Sequence, residues 1–458
     1  MNIEAILQEP TIYRRRDRLS NITDGLGLED VYGATIERIQ AQGGYKGRLG
    51  MGALMWISYA EVPLRPDELC HALAIELGST DFNAANIPSI TTLVSCCQGL
   101  ISVDKETSTA RLIHFTLREY FSTHPDIISR PHSAMAEICL TYLNSRHVKA
   151  PSADSSVNLP TLTHDNPFLE YCSLYWGVHT KKELSHVARS LALQLFREYN
   201  SHVSVALLVA KVSHTLDIFD MGFLWSGLHC ASYFGIVELV AALIELGCHD
   251  LNLGDFCGRT ALILAAQEGH EDVVNILLGQ KEVNPNKENN FGLTPLTYAT
   301  LGGHEDVVKI LLGWEEVNPD KPDNDGRTPL WYAATYGLEG VVKILLGREE
   351  VDPDKPDNDG RTPLSHATIG GFEGVVKILL GREKVNPDKP DNNGRTPLWY
   401  AAWLGHEGVV AILLEREEVH PNKLDHEGQT PLMLATRRGW RGVIALLESR
   451  VAVTHSPT

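Results

Sequence analysis

Long apolar runs are missing from this chain of 458 residues. No segment approaches the roughly 18 consecutive apolar residues of a membrane span. The start, MNIEAILQEPTIYRRR, also lacks the order of charge, apolar core and small-residue cleavage site of a signal peptide. An intracellular, cytoplasmic protein is expected. Positive charge is scarce as well: 40 lysines and arginines stand against 58 acids, a formal net charge of −18. That balance argues against nucleic acid and membrane as partners, because both need clustered cations to displace counterions. The one basic knot, Tyr13-Arg14-Arg15-Arg16, reads as solvated surface.

Motifs for chemistry are equally short. The eight cysteines contain no C-x-x-C pair, and Cys96 and Cys97 are adjacent, so they read as reduced, mostly buried thiols and not as a disulfide or zinc framework. No G-x-x-x-x-G-K-[ST] occurs, and GGYKGRLGMG around Gly43 to Gly52 lacks the lysine and hydroxyl that hold phosphate and magnesium. The His-Glu pairs at His270, His304 and His406 lack the second histidine one turn on that a zinc protease needs. No G-x-S-x-G elbow is present, and no nucleophile has a placed base. The expectation is a protein without catalytic residues, metal, cofactor or small-molecule substrate, whose partner is another protein.

What is present is ordinary globular composition, 43% hydrophobic and 21% charged, on a length that predicts about three domains. The C-terminal half repeats itself. Thr260, Thr294, Thr328, Thr362, Thr396 and Thr430 open RTAL, LTPL, RTPL, RTPL, RTPL and QTPL at a constant spacing of 34 residues. One step back, Ser226 keeps the hydroxyl, which gives about seven units. A period of this length also occurs in tetratricopeptide arrays, so length alone does not choose the fold. The residues choose it: each unit reads D-x-x-G-x-T-P-L, then two small residues, a glycine, and V-V-x-I-L-L.

One unit, KPDNDGRTPLWYAA from Lys321, opens like a calcium loop. With Gly326 as the invariant glycine of an EF-hand, however, Lys321 and Tyr332 fall where the first and last carboxylate ligands belong. The stretch reads instead as a turn and a helix start. Thr328 caps, Pro329 takes the first turn where its missing N–H costs nothing, and Leu330, Ala333 and Ala334 follow at helical spacing. Gly337 ends that helix in a left-handed conformation, and a second begins near Leu338. Val341, Val342, Ile344, Leu345 and Leu346 form an apolar face too wide for one unit to hide, so it must be buried against the next.

This grammar resembles the ankyrin repeat over about half the chain. The resemblance implies a stacked α-solenoid with finger loops, and departures are expected in it. Fingers such as VDPDKPD carry extra prolines and should be long and stiff. The histidine usual after T-P-L survives only as His229. Trp331, Trp399, Thr297 and Ser365 stand in elsewhere, which puts the usual inter-repeat hydrogen bond in question.

The N-terminal half shows helical patterns over about 28–41, 48–59, 66–77 and 88–98, then LISVD, a turn and ARLIHF as a hairpin, then the helix TLREYF. Three helices, a wing and a further helix predict a winged helix. Its third helix, PSITTLVSCCQ, has no arginine or lysine for phosphate, which disfavours DNA reading. The stretches ALMWISYAEVPLRPDELCHALAIE, LISVDKETSTARLIHFTLREYF and FLEYCSLYWGVH resemble the winged-helix and helical region that follows the NACHT domain in fungal NLR-like NACHT-ankyrin receptors, the NACHT domain itself being absent. That resemblance implies an array that senses a partner for a signalling receptor or a truncated relative. His114 in HFTLREY occupies the slot where such receptors place a histidine near the nucleotide, so a nucleotide contact in trans is the alternative reading, and winged-helix DNA binding a weaker one.

The fold expected is mainly α: a winged-helix-like domain with a helical lead-in over 1–125, a helical connector over 126–218, ankyrin repeats over 219–450 with units starting near 220, 255, 289, 323, 357, 391 and 425, and a short tail. In the stacked array the finger tips and first-helix edges line one concave face. The candidate partner contacts there are Arg327, Tyr336, Arg361, Ile369, Arg395, Trp403, Leu404 and Arg437, because arginine beside aromatic and apolar residues is the composition of interface hot spots. Pairing of Arg327 and Arg361 with neighbouring finger acids is the competing expectation. Trp403 is singled out as a tryptophan with no structural need to be exposed there.

Overall fold

A computed structural model describes residues 27–79, 81–104, 106–149, 159–199, 202–213, 225–247 and 250–454. The basic knot at Tyr13 to Arg16, Cys248 and the expected start of the first repeat near 220 lie outside the described residues. The chain divides into two compact units, Met1–Gly227 and Leu228–Thr458.

In the first unit, α1 (Leu28–Ala41), α2 (Gly44–Tyr59), α3 (Pro66–Ala74) and α4 (Ile90–Cys96) precede the antiparallel strands β1 (Ile101–Asp104) and β2 (Thr109–Leu112), paired Ile101 to Leu112, and α5 (Thr116–Thr123). This is a winged helix. The helix expected over 66–77, α3, ends at Ala74, because Ile75 turns extended ahead of Gly78, whose φ is +83°. Ser89 opens α4 by accepting the Thr92 amide at 3.1 Å. Gly50 lets α2 approach its neighbours; a Cβ there would stand 2.6 Å from Ile39 and 2.9 Å from the Cys96 carbonyl.

Beyond the wing run α6 (Pro131–Leu143), α7 (Arg146–Lys149), α8 (Leu159–Asp165), α9 (Leu169–Lys182), α10 (His186–Phe196) and α11 (Val203–Ser213). Trp56 of α2 is fully buried and meets Phe168 and Tyr171 edge-on at 5.3 and 5.6 Å, an arrangement that aromatic quadrupoles favour. A polar chain borders this core. The Tyr171 hydroxyl accepts the Glu61 amide at 3.2 Å and pairs with His179 Nε2 at 2.9 Å, and His179 Nδ1 faces His132 Nδ1 at 2.8 Å. Burial pulls the His179 pKa down to about 3 and also lowers that of His132, since desolvation disfavours the charged ring.

The second unit is a stack of seven helix pairs among the described residues, from Gly227–Phe234 with Val237–Glu245 to Pro431–Arg438 with Arg441–Thr454. Each of the six repeat threonines accepts the amide three residues on, at 3.2 or 3.3 Å. This capping satisfies an N–H that the first turn leaves unpaired. Two glycines per layer have left-handed backbone: Gly326 at φ +79° in the finger and Gly337 at +70° between helices. A Cβ on Gly337 would lie 2.6 Å from the Phe372 ring of the next layer. Leu330, Ala333, Ala334, Val341, Val342 and Leu345 are buried between layers, as a stacked solenoid requires.

Hydrogen bonds stitch each layer to the one before. His270, His304 and His406, at the starts of second helices, donate Nε2–H to the carbonyls of Tyr233, Gln267 and Ile369 at 2.8 to 3.0 Å, and the Trp440 indole does the same to Trp403 at 3.2 Å. Along the fingers, Asn324, Asn358 and Asn392 donate their amides to the carbonyls of Asn290, Asn324 and Asn358.

Candidate partner-binding surface

The geometry of the concave face starts from one carboxylate per finger. In layer six, Asp391 Oδ1 accepts the amides of Asn393 and Arg395, each at 2.8 Å, and closes the turn. Its Oδ2 accepts the Tyr400 hydroxyl at 2.6 Å. Asp323 holds Tyr332 in the same way. The tryptophan beside each tyrosine reaches onward: Trp331 donates its indole N–H to Asp357 and Trp399 to Asp425, both at 3.0 Å. Tyrosine thus ties a helix to its own finger, and tryptophan ties it to the next.

This corrects one expectation. The inter-repeat bond is kept where tryptophan replaces histidine, because the indole N–H reaches the following finger as His229 Nε2 reaches the Leu253 carbonyl at 3.0 Å. The finger acids also divide: Asp325 and Asp359 face solvent, whereas Asp357, Asp391 and Asp425 are buried.

Asp357 is the most heavily bonded of these, with Trp331 and His366 on Oδ2 and two amides on Oδ1. Burial works to raise its pKa, but the hydrogen bonds, from His366 foremost, outweigh it and hold the carboxyl below the ordinary value. A depressed folded pKa lends stability that is present above the unfolded value, about 4, and is lost as pH falls through the folded one. The stability gap between wild type and Trp331→Phe should therefore persist from pH 7 to 5 and narrow below about pH 4, measured as Tm against pH.

Arginines lie over these aromatics. The Arg327 guanidinium stands 5.1 Å from the Trp331 ring centre, Arg395 4.8 Å from Trp399, Arg361 5.8 Å from Tyr400 and Arg438 5.3 Å from Trp403. Such stacking fixes a cation that is still free to bond along its edge. Arg327 and Arg361 also pair with Asp325 and Asp359 at 2.9 and 3.4 Å, so the competing expectation of finger pairing holds for both; the two acids are exposed, and such pairs contribute little.

A cleft of about 450 Å³ opens where layers five, six and seven meet. Trp399, Tyr400 and Leu434 form a packed apolar floor with Ile369 and Trp403 against it. Arg361, Arg395 and Arg437 rim it, with Glu427 and Gln429 beside them. Of the three rim arginines, Arg361 pairs with Asp359 at 3.4 Å and Arg395 with Glu427 at 3.7 Å.

Of the candidates named from sequence, Arg361, Ile369, Arg395, Trp403 and Arg437 come together in this cleft, and Arg327, Tyr336 and Leu404 do not line it. Tyr336 is 57% exposed at the end of its helix, and Leu404 is half-buried. Trp403 is corrected: it is half-buried, packs on Trp399 at 5.7 Å between ring centres, and lies under Arg438. It has a structural role after all. Tyr400, Glu427 and Leu434 were not foreseen. The recurring tryptophan-tyrosine pair after T-P-L was the available signal for Tyr400. His114 is half-buried at the start of α5, where its Nδ1 takes the Thr116 amide at 3.3 Å and pairs with that hydroxyl at 2.8 Å.

Comparison with known proteins agrees with this architecture. The family described as "Ankyrin repeats (3 copies)" matches residues 197–289, 281–357 and 336–425, together half the chain, and "GPI inositol-deacylase, winged helix domain" matches 37–129. A curated relative, "Probable E3 ubiquitin-protein ligase XBOS33" of Oryza sativa subsp. japonica, is 44% identical over 57 residues, 12% of this chain and 11% of that protein. Similar solved structures include the ankyrin repeat domain of Bcl-3, at 26% identity over 48% of this chain and 97% of that one with a TM-score of 0.44. The human ASB11 ankyrin repeat domain is 24% identical over 51% of this chain and 100% of its own, with a TM-score of 0.43. No helix among the described residues is long and apolar enough to cross a membrane. Protein–protein interaction is the role such repeats suggest, and by the family match over half its length this chain belongs to the ankyrin-repeat proteins.

Proposed function

We propose that the chain is a non-enzymatic interaction scaffold whose ankyrin array holds a partner protein at the cleft between layers five and seven. The observation that carries this is the cleft's composition: an aromatic floor under three arginines, on an otherwise acidic chain. A partner segment that presents a carboxylate next to an aromatic or aliphatic side chain fits it, the carboxylate meeting Arg395 or Arg437 edge-on and the apolar group covering Trp403. The candidate contacts remain Arg361, Ile369, Arg395, Trp403 and Arg437, with Arg327, Tyr336 and Leu404 as outlying members of the same face. In this reading residues 1–125 and 126–218 are a winged-helix domain and a helical connector of the kind that follows a NACHT domain in NLR-like receptors, and the array at 219–450 is the sensing part.

The test uses the full chain as bait and follows partner recovery. Arg395→Ala with Arg437→Ala, which leaves the apolar floor in place, should weaken capture by about tenfold or more. Equal recovery of the same partner by wild type and double variant would sink the cleft as the binding surface.

A further inference from the structure

The polar chain that borders the aromatic core of the first unit offers metal ligands. Glu61 follows α2, His132 lies in the first turn of α6, and His179 lies near the end of α9. Each presents one ligand atom, and these atoms lie within 4.8 Å of one another. We propose that Glu61, His132 and His179 form a site for a divalent metal ion of the zinc class.

The donor set suits that ion, since two imidazoles and a carboxylate leave a fourth position open in a tetrahedral site. The outer partners are also in place. His179 is fully buried, and its Nε2 meets the Tyr171 hydroxyl at 2.9 Å, which orients Nδ1 toward His132 and Glu61. A ligating histidine is commonly fixed in this way through its other nitrogen. Tyr171 also accepts the Glu61 amide, so one hydroxyl positions two of the three ligands.

A cation already stands at the carboxylate. The Lys182 ammonium lies 2.5 Å from Glu61 Oε1, and Glu61 Oε1 lies 3.8 Å from His179 Nδ1. The Lys182 side chain is 45% exposed and is free to swing into solvent. A metal ion would take its place at Glu61 and separate the two Nδ1 atoms, now 2.8 Å apart, to about 3.3 Å, as a tetrahedral angle and zinc–nitrogen bonds of about 2.0 Å require. Lysine and metal therefore compete for one carboxylate. The ion would pin the loop after α2, the start of α6 and the end of α9 to each other.

The experiment is a titration of the full chain with Co²⁺, read by visible absorption, followed by displacement with Zn²⁺. We expect one Co²⁺ per chain with the intense bands of a four-coordinate site, and Zn²⁺ should abolish them. Glu61→Gln and His132→Gln should each weaken binding at least about tenfold, and Lys182→Met should tighten it by about tenfold. Absence of a four-coordinate spectrum in both wild type and Lys182→Met would overturn the site and leave a hydrogen-bonded polar pin only. Unchanged affinity in Glu61→Gln and His132→Gln would also overturn it, by placing the ion on other histidines. If those two variants fail to fold, Lys182→Met decides alone: tighter binding supports the site, and unchanged or weaker binding refutes it.

Discussion

Trp399→Ala lowers the stability of the ankyrin array by about 3–5 kcal/mol, the range for deleting a large buried aromatic. Trp399 is 6% exposed and packs with Tyr400 and Leu434. Its removal opens a cavity between layers six and seven and takes from Asp425 Oδ2 its indole donor at 3.0 Å, leaving a buried carboxylate oxygen short of a partner. The damage should concentrate in the last layer, because a solenoid layer draws stability only from its neighbours. Urea unfolding measures the total, and hydrogen exchange over residues 425–450 locates it. Trp399→Phe keeps most of the packing and should cost about 1–3 kcal/mol for the lost donor. Trp331→Ala is the internal control: Asp357 Oδ2 keeps His366 as a second donor at 3.1 Å. A cost for Trp331→Ala as large as for Trp399→Ala would refute the role assigned to the indole hydrogen bond.

Asp391→Ala is the second large effect, a loss of about 3–5 kcal/mol, as expected when one member of a buried charged network is removed. Asp391 is 5% exposed, and its carboxylate takes two amides and the Tyr400 hydroxyl. Arg361 reaches the same hydroxyl with Nε at 3.1 Å. Without Asp391 the finger turn loses its closing acceptor, and Arg361 loses the anion that Tyr400 relays to it. Asp391→Asn keeps an oxygen for the turn and should cost less than half as much by thermal melting. A double-mutant cycle with Tyr400→Phe isolates the 2.6 Å bond; additive losses would show that the two side chains are independent.

The local parts of this structure were legible because their causes lie within a few residues. Each repeat threonine caps an amide three positions on, so its period alone located the first helices. The hairpin followed from two short strands around a turn. What stayed hidden depends on residues brought together by stacking. Trp331 and Asp357 are 26 residues apart and meet only because layer five sits on layer four, so the indole looked like a lost histidine. Trp403 looked free because its cover, Arg438 and Trp399, comes from the next layer and from its own helix. The cleft was read in part: its arginines and Ile369 fell on repeat positions that a ladder exposes, whereas Tyr400 and Leu434 lie on the inward side of theirs. The constellation of Glu61, His132 and His179 had no spacing to betray it, since three separate segments converge there.

The finger asparagines bond to counterparts 34 residues earlier, Asn324 to Asn290, Asn358 to Asn324 and Asn392 to Asn358. Each of these three side-chain amides meets the backbone carbonyl of the asparagine one storey down. Copying a whole unit in frame hands each new donor a matching acceptor and leaves the old ones satisfied. KPDNDGRTPL occurs twice and KPDNNGRTPL once, and such near-identical stretches are substrates for unequal recombination. The reach of the concave face is therefore a quantity that a lineage can change by counting storeys, with no invention of new contacts.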